Sequence, residues 1–245
     1  MKEISGLHHV TCISGDAQEN LDFYTGVLGM RMVKKSVNQD SPDTYHLFYA
    51  DADGHPGTDI TFFPWPRMPA MTPGVGLSME VSLAIPAGTL DYWSARLGDA
   101  GVQLQGVETR HGERALPFVD PHGLHVALVE TADVREFTPW DRSDVPAERQ
   151  VLGLHAVRLW ERSLDETAAF LTSALGLRAR GGGGMAPLRG RRRRFRRASG
   201  HSRTAAGRAR RVGRGRDPPR RVAGARRRRG AGGASARGTG ATSAH

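Results

Sequence analysis

The chain has 245 residues and a formal net charge of +10, but the charge is unevenly distributed. Residues 181–245 contain 20 arginines and one acidic residue, Asp217, whereas residues 1–180 contain 15 basic and 24 acidic residues. The single cysteine, Cys12, excludes an intrachain disulfide framework, and no apolar run is long enough to span a membrane. The opening residues also lack an apolar signal region, so we expect a cytoplasmic protein with no membrane partner.

Strand and helix signals first occur in the order βαβββ. The run GLHHVTCIS (6–14) is rich in β-formers and predicts a strand. The following segment (15–30) has apolar residues at helical spacing, with Asp16 as the predicted N-cap and Gly29 as the predicted C-terminal glycine. Three further strands are predicted between turn-forming residues, at 30–37, 44–50 and 59–65.

The same order of elements then recurs. A strand at 76–86 and a helix at 88–102 precede three strand-like runs, QLQGVETR, RALPFVD and LHVALVE. A third unit begins with a strand at 151–161 and a helix at 163–176, and then gives way to GGGG. The repeat predicts an α+β fold made of paired βαβββ modules, with the third module truncated.

This pattern predicts a division of the chain into four parts. We expect an N-terminal domain of two modules at 1–130, a polar linker at 131–150, and the β-α start of a second domain at 151–180. The tail at 181–245 is rich in Arg, Gly and Ala and has few large apolar residues. We expect the tail to be disordered, because it cannot bury enough surface to offset its chain entropy.

Repeated βαβββ units that open with a strand-borne His resemble the vicinal oxygen chelate superfamily, which includes glyoxalases, bleomycin-resistance proteins and extradiol dioxygenases. The segment from GLHHVTCIS to DITFFPWP is similar to the branch of ring-cleaving dioxygenases that act on hydroquinones, and the similarity extends to about residue 180. It implies an oxidoreductase of aromatic compound catabolism with four such units. It also implies a small aromatic diol and O₂ as substrates, and one Fe(II), alternatively Mn(II), as cofactor.

The resemblance implies a metal site of two His and one Glu. It assigns His9 as the first ligand, and it places His8 and Thr11 near the site as catalytic or pocket residues. The remaining two ligands come from a fourth unit, which is not recognisable in this chain. His8 is not expected to complete a pair with His9, because neighbouring strand side chains point to opposite faces. We therefore expect poor Fe(II) binding and little or no ring-cleaving activity.

The second unit offers no obvious replacement ligands. The usual Glu position of the superfamily falls on Ala127, and Glu130, three residues later, is expected to face the other side of its strand. We predict that Cys12 is a buried small apolar residue and that His155 is structural. The DADGHPG segment (51–57) lacks the spacing and the final Glu of a calcium loop.

Two hypotheses account for the arginine-rich tail. An arginine-tailed nucleic-acid binder would contact phosphates non-specifically. Alternatively, the tail is a gene segment read out of frame. Possible codons for RRVGRGRDPPRRVAGARRRR, read from their second base, permit GAWGVGAIHHVAWRVPDDD, which is similar to the opening GLHHVTCISGD. Pro218 and Pro219 would then overlie a lost His-His pair, and the repeat count favours this second hypothesis.

One further class of protein is compatible with the sequence. The body of the chain is similar enough to glyoxalases that it could be a glyoxalase-like or small-molecule-binding module. Its site would then be assembled in a homo-oligomer.

Overall fold

The first βαβββ unit forms a four-stranded sheet. A computed structural model describes residues 4, 6–69 and 71–178, together with the backbone of 179, 188 and 189. The elements of this unit are β1 (His9–Ser14), α1 (Ala17–Leu21), a π-helix (Asp22–Val27), β2 (Arg31–Val37), β3 (Tyr45–Ala50) and β4 (Asp59–Pro64). The strand order is β1-β4-β3-β2, with β1 parallel to β4 and the other neighbours antiparallel.

The helical segment of this unit differs from the uniform α-helix that the sequence predicts. Asp16 caps it as expected by accepting hydrogen bonds from two backbone N–H groups of the first turn. After α1 the segment widens to a π-helix, in which the Leu28 N–H donates to the Phe23 carbonyl at 3.0 Å. Both of these residues are buried in the core. Gly29 ends the segment with a φ of 68°, as predicted.

The second unit repeats this topology. Its elements are β5 (Leu77–Pro86), α2 (Leu90–Asp99), β6 (Glu108–Arg110), β7 (Glu113–Val119) and β8 (His125–Thr131). The first and last strands, β5 and β8, are again parallel. The first of the three strand-like runs, QLQGVETR, is shorter as a strand than predicted: apart from β6, it contributes one isolated bridge, from Leu104 to Phe118.

The third unit adds one strand to the second sheet. β9 (Gly153–Trp160) pairs antiparallel with β5, which gives the order β6-β7-β8-β5-β9. The helix α3 (Leu164–Leu175) follows, with Ser163 as its N-cap. The short strands β10 (Arg178–Ala179) and β11 (Leu188–Arg189) then pair antiparallel.

Leu188 and Arg189 of β11 are the only tail residues that the structure describes, and the expectation that the tail is disordered stays a prediction. The rest of that expectation concerns 181–187 and 190–245, which lie outside the described residues. The α+β class with βαβββ modules is confirmed. No helix within the described residues is long and apolar enough to cross a membrane.

One hydrophobic core is shared by the first two units. Its largest fully buried side chains include Tyr24 and Phe62 of the first unit and Trp93 and Phe118 of the second. Burying one such ring contributes on the order of 2 kcal/mol. Polar contacts cross the same boundary, since the Arg96 guanidinium donates to the carbonyls of Gly26 and Val27, each at 2.7 Å. The shared core and these hydrogen bonds therefore hold the two sheets in a fixed orientation relative to each other.

The linker at 131–150 is anchored by a buried carboxylate, Asp51. Asp51 accepts hydrogen bonds from the backbone N–H groups of Thr138, at 2.9 Å, and His55, at 3.0 Å. Asp51 also contacts the His55 ring, since its Oδ2 lies 2.6 Å from Nδ1 of that ring. The DADGHPG segment is thus a loop organised around Asp51.

Replacing Asp51 with Ala should lower the free energy of unfolding by about 3 kcal/mol, because it leaves several buried donors without an acceptor. Burial opposes ionisation of Asp51, but the hydrogen bonds from His55 and Thr138 outweigh it and lower the pKa of Asp51. The hydrogen bond to Asp51 is the main cause of a raised pKa of His55. The stability that the Asp51–His55 pair contributes is therefore lost as the pH falls through the pKa of Asp51 in the folded protein. It is also lost as the pH rises through the pKa of His55 in the folded protein.

Urea unfolding at about pH 6 measures this difference, since Asp51 is ionised and His55 is largely charged there. Asp53→Ala is the matched control, because Asp53 is exposed on the same loop. We expect the control to change stability by less than about 0.5 kcal/mol. Equal losses in the two variants would contradict the role assigned to Asp51.

Candidate functional site

The sequence-predicted residues His9 and Thr11 lie on one face of β1. Both are exposed, as is Ile13, while Cys12 packs into the core on the opposite side of the strand. This arrangement follows from the alternation of side chains along a strand whose other face is covered by the core. The first sheet thus has one covered face and one open face.

The register of β4 extends the open face. Asp59 pairs with His9, Thr61 with Thr11, and Phe63 with Ile13. Paired residues of neighbouring strands point to the same side of a sheet, so the three side chains join those of β1. We define the open face by the residues of β1, β3 and β4 that share this side, which are His9, Thr11, Ile13, His46, Phe48, Asp59, Thr61 and Phe63.

Aromatic rings form one wall of the open face. The ring of His46 lies 4.0 Å from that of Phe48 and 4.2 Å from that of Phe63, measured between centroids. Lys34 of β2 places a cation beside this wall, with its Nζ 5.1 Å from the centre of the Phe48 ring. The wall offers flat apolar surface next to polar side chains, which suits a planar ligand carrying hydroxyl groups.

A hydrogen-bond chain runs from this wall to Thr11. The Thr61 hydroxyl donates to the Thr11 hydroxyl oxygen at 2.9 Å, and the Thr61 oxygen lies 3.0 Å from Nε2 of His46. The only hydroxyl hydrogen of Thr61 is used toward Thr11, so His46 must donate from Nε2. Thr11 accepts from Thr61, and its own hydroxyl hydrogen is therefore directed to another acceptor.

The two adjacent histidines contact each other directly. Their Nδ1 atoms are 3.0 Å apart, and their rings meet edge to face. The prediction that His8 and His9 point to opposite faces is wrong, because β1 begins at His9 and strict alternation does not extend to the residue before the strand. At this distance an N–H on one Nδ1 can donate a hydrogen bond to the other Nδ1.

Asp59 adds a carboxylate beside the histidine pair. It is partly buried, and its Oδ1 is enclosed without a hydrogen-bond partner among the described residues. Burial raises the pKa of Asp59, although the nearby rings of His8 and His9 partly oppose that rise. The open face therefore holds a carboxyl that gains a proton more readily than a solvated aspartate does.

The open face lacks a complete set of metal ligands among the described residues. In the part of the chain that the structure describes, no three side chains of His, Cys, Asp or Glu converge closely enough to hold a metal ion. His8, His9 and Asp59 do not meet this requirement. The described residues therefore do not fit a complete site of two His and one carboxylate.

The second sheet has different chemistry at the corresponding positions. Ala127 of β8 pairs with Ser82 of β5, and this pair corresponds to Thr61 and Thr11 in the first sheet. The position at which the superfamily usually has its Glu is therefore occupied by a non-polar residue. Glu130 turns to the helix side, as its strand position predicts, and accepts from the Leu90 N–H at the start of α2 at 3.0 Å.

The buried carboxylate on this second face is already neutralised. Glu80 accepts two hydrogen bonds from Arg110, at 2.5 and 3.1 Å, and lies 3.5 Å from Arg158. Its charge is therefore balanced by two guanidinium groups, and it offers no free ligand oxygen.

Two other sequence predictions concern single residues. Burial, with a smaller effect of Asp120, raises the pKa of Cys12 to about 12, so the thiol stays protonated and unreactive at neutral pH, in agreement with its predicted packing role. His155 pairs with Glu113 at 2.9 Å and is itself nearly buried, which agrees with its predicted structural role.

Sequence reasoning missed His46, Asp59 and Thr61. The alternation of polar and apolar residues in YHLFYA and DITFFP could have indicated them, because it places the three side chains on the side of the sheet away from the core. Their relation to His9 depends on the parallel pairing of β1 with β4, and that pairing joins residues about 50 positions apart.

Comparison with known proteins identifies the family. The Glyoxalase/Bleomycin resistance protein/Dioxygenase superfamily matches residues 6–128. The chain belongs to this superfamily, which confirms the resemblance to vicinal oxygen chelate proteins.

Similar proteins are named as dioxygenases. A Bacillus subtilis (strain 168) protein named a ring-cleaving dioxygenase, MhqO, is 40% identical over 176 residues, which cover 72% of this chain and 56% of that protein. The chlorohydroquinone/hydroquinone 1,2-dioxygenase of Sphingobium indicum is 34% identical and is matched over 57% of its length. The chain thus spans somewhat more than half the length of these relatives.

A solved structure shares the arrangement described above. The crystal structure of a dioxygenase-type protein from Bacillus subtilis subsp. subtilis str. 168 superposes with a TM-score of 0.72 at 38% identity. The superposition covers 77% of this chain and 61% of that one.

The pKa of His46 should be measurably below its ordinary value of 6.5. Burial is the main cause, and the charge of Lys34 is the second. Lys34→Met should raise the pKa of His46 in an NMR titration without restoring the ordinary value, because burial persists. Lys35→Met is the matched control, since Lys35 lies over the Tyr45 ring and away from His46. A shift of the same size in both variants would contradict the placement of Lys34.

Proposed function

We propose that the open face is one half of the site of a non-haem Fe(II)-dependent ring-cleaving dioxygenase, with Mn(II) as the alternative metal. His9 would be the first metal ligand, with His8 and Thr11 as pocket residues. A small aromatic diol and O₂ would be the substrates, in the cytoplasm. The observation that carries this proposal is the exposed position of His9 beside Thr11 and an aromatic wall. The names of the relatives support it.

The chain from His46 to Thr11 suggests how a diol would be oriented. Because Thr11 accepts a hydrogen bond from Thr61, its own hydroxyl can donate toward the open face. A phenolic oxygen placed there would accept this hydrogen bond while its ring packs against Phe48 and Phe63. His46 holds the aromatic wall in place, because its ring contacts those of Phe48 and Phe63 and its Nε2 donates a hydrogen bond to Thr61.

We further propose that this chain is inactive or impaired as an oxygenase. The described residues supply one of the three ligands that the family resemblance implies, and no described cluster replaces the other two. Our proposal is that a change of reading frame after about residue 180 has replaced the segment that held them. The predicted domains, at 1–130 and from 151, remain part of this proposal, separated by the linker at 131–150.

Fe(II) binding and oxygen uptake test this function. We expect the full chain to bind Fe(II) weakly, and we expect His9→Ala to reduce that binding at least about 10-fold, since even the loss of a residue that only supports a metal ligand commonly costs this much. Oxygen consumption with hydroquinone and Fe(II) should stay near the rate measured without protein. His111→Asn is the control, because His111 lies in a turn with a φ of 50°, which Asn tolerates, outside the open face.

Two results would overturn the proposal in different ways. Unchanged Fe(II) affinity in His9→Ala would remove His9 from the site. Rapid oxygen uptake by the full chain would show that its site is complete. For the frame change, the codons of Pro218 and Pro219 are decisive, because any third base other than A removes the His pair from the shifted reading.

A further inference from the structure

We propose that Lys34, at the border of the open face, selects aromatic diols that carry a carboxylate by forming an ion pair with that group. The inference rests on the proposed function, because it names the class of diol that the open face would bind. It concerns the end of the ligand that lies away from His9 and Thr11, which are proposed to receive the hydroxyl groups.

A single row of paired residues joins Thr11 to Lys34 across the four strands of the first sheet. Thr11 of β1 pairs with Thr61 of β4. Thr61 pairs with Phe48 of β3, which in turn pairs with Lys34 of β2. Paired residues of neighbouring strands point to the same side, so Lys34 borders the open face. Neighbouring strands lie about 4.8 Å apart, which places the Cα atoms of Thr11 and Lys34 about 14 Å from each other.

This row has the length that one substituted ring requires. A hydrogen bond at Thr11 and an ion pair at Lys34 each take about 2.8 Å, which leaves room for one benzene ring with a substituent at each end. The Lys34 Nζ lies 5.1 Å from the centre of the Phe48 ring. It is therefore within reach of a substituent on a ring that packs against Phe48 and Phe63.

The ammonium group of Lys34 is available to an anion. Lys34 is exposed, and it forms no ion pair with a carboxylate among the described residues. Ser36 lies two residues further along β2, where it pairs with His46, so its hydroxyl is on the same side of the sheet. A carboxylate bound between the two side chains would accept hydrogen bonds from both.

The other two cations of β2 are placed differently. Lys35 pairs with the buried Leu47 and therefore points to the opposite side of the sheet. Its Nζ lies 3.9 Å from the centre of the Tyr45 ring. Arg31 donates to a backbone carbonyl of the loop that follows β3. Of the three, Lys34 is thus the cation that borders the open face.

The second sheet treats the cations on its corresponding face differently. Arg110 and Arg158 both lie against the carboxylate of Glu80, at 2.5 and 3.5 Å. Their charges are balanced within the chain. The charge of Lys34 has no such partner in the part of the chain that the structure describes, so an anionic ligand can supply one without displacing another group.

Residue-resolved NMR titration of the full chain tests the proposal, with 2,5-dihydroxybenzoate as the probe and hydroquinone as the neutral reference. Metal and oxygen are absent, and the pH is about 7, where a carboxylate is ionised. The probe should shift the resonances of Thr11, His46 and Phe63 with a dissociation constant at least about 3-fold below that of hydroquinone, as expected for one exposed ion pair. Because the arginine-rich tail also attracts anions, only shifts of open-face residues are counted.

Two lysine variants separate the ion pair from general attraction of anions. Lys34→Met should raise the dissociation constant of 2,5-dihydroxybenzoate at least about 3-fold and leave that of hydroquinone unchanged, because only the probe loses an ion pair. Lys35→Met is the matched control and should change neither constant, since Lys35 points to the other side of the sheet. Benzoate, which lacks the hydroxyl groups, should bind more weakly than 2,5-dihydroxybenzoate.

Several results would overturn the proposal. They are the absence of open-face shifts, equal affinity for 2,5-dihydroxybenzoate and hydroquinone, an equal loss in the two lysine variants, and benzoate binding as tight as that of the probe. These results are independent of the metal, which the titrations omit. A preference for the probe that depends on Lys34, together with Fe(II) affinity unchanged by His9→Ala, would support the Lys34 site and reject the metal site.

Discussion

The parallel pairing of β1 with β4 is the contact on which the arrangement of the first unit depends. It closes the βαβββ unit by joining its first and last strands, and it fixes which side chains face the core. Cys12 and Phe62 are thereby directed inward, while Thr11 and Thr61 are directed outward. A slip of one residue in β4 would exchange the two sets and would turn Thr61 and Asp59 toward the apolar core.

The second unit uses the same pairing for a different purpose. Where the first sheet has Thr61 on its open face, the second has Ala127, packed with Ala115 and Val129. Where the first sheet has an exposed His9, the second has Glu80 held by arginines. The two units therefore share a topology but differ in their outer faces. The outer face of the second sheet is stabilised by the ion pairs of Glu80, whereas that of the first sheet carries polar side chains without such ion pairs.

The first strand of each unit has two edges, and their occupancy differs along the chain. β5 is paired on both sides, by β8 and β9, whereas β1 is paired with β4 alone among the described strands. The third unit likewise presents apolar surface: no residue of α3 is buried, and Phe170 is 61% exposed. An edge strand with few charges is open to pairing with a further strand.

Local sequence signals were sufficient for the order of elements, the Asp16 cap, the Gly29 terminator and the fold class, because each depends on residues within one or two turns or strands. The family resemblance, and not these local signals, assigned His9 and Thr11 to a site. The local signals could not reveal the π-helix at 22–27, which depends on how the segment packs against the core. They also misplaced His8, because the exact first residue of a strand is set by its partner.

The chemical surroundings of His9 were decided by tertiary structure. The sequence by itself determined that a histidine opens a βαβββ unit and that its strand alternates. Only the folded chain brings His46, Asp59 and Thr61 beside it, because their positions depend on pairing between strands distant in sequence. Register across such strands is set by the shared core, and no local pattern encodes it.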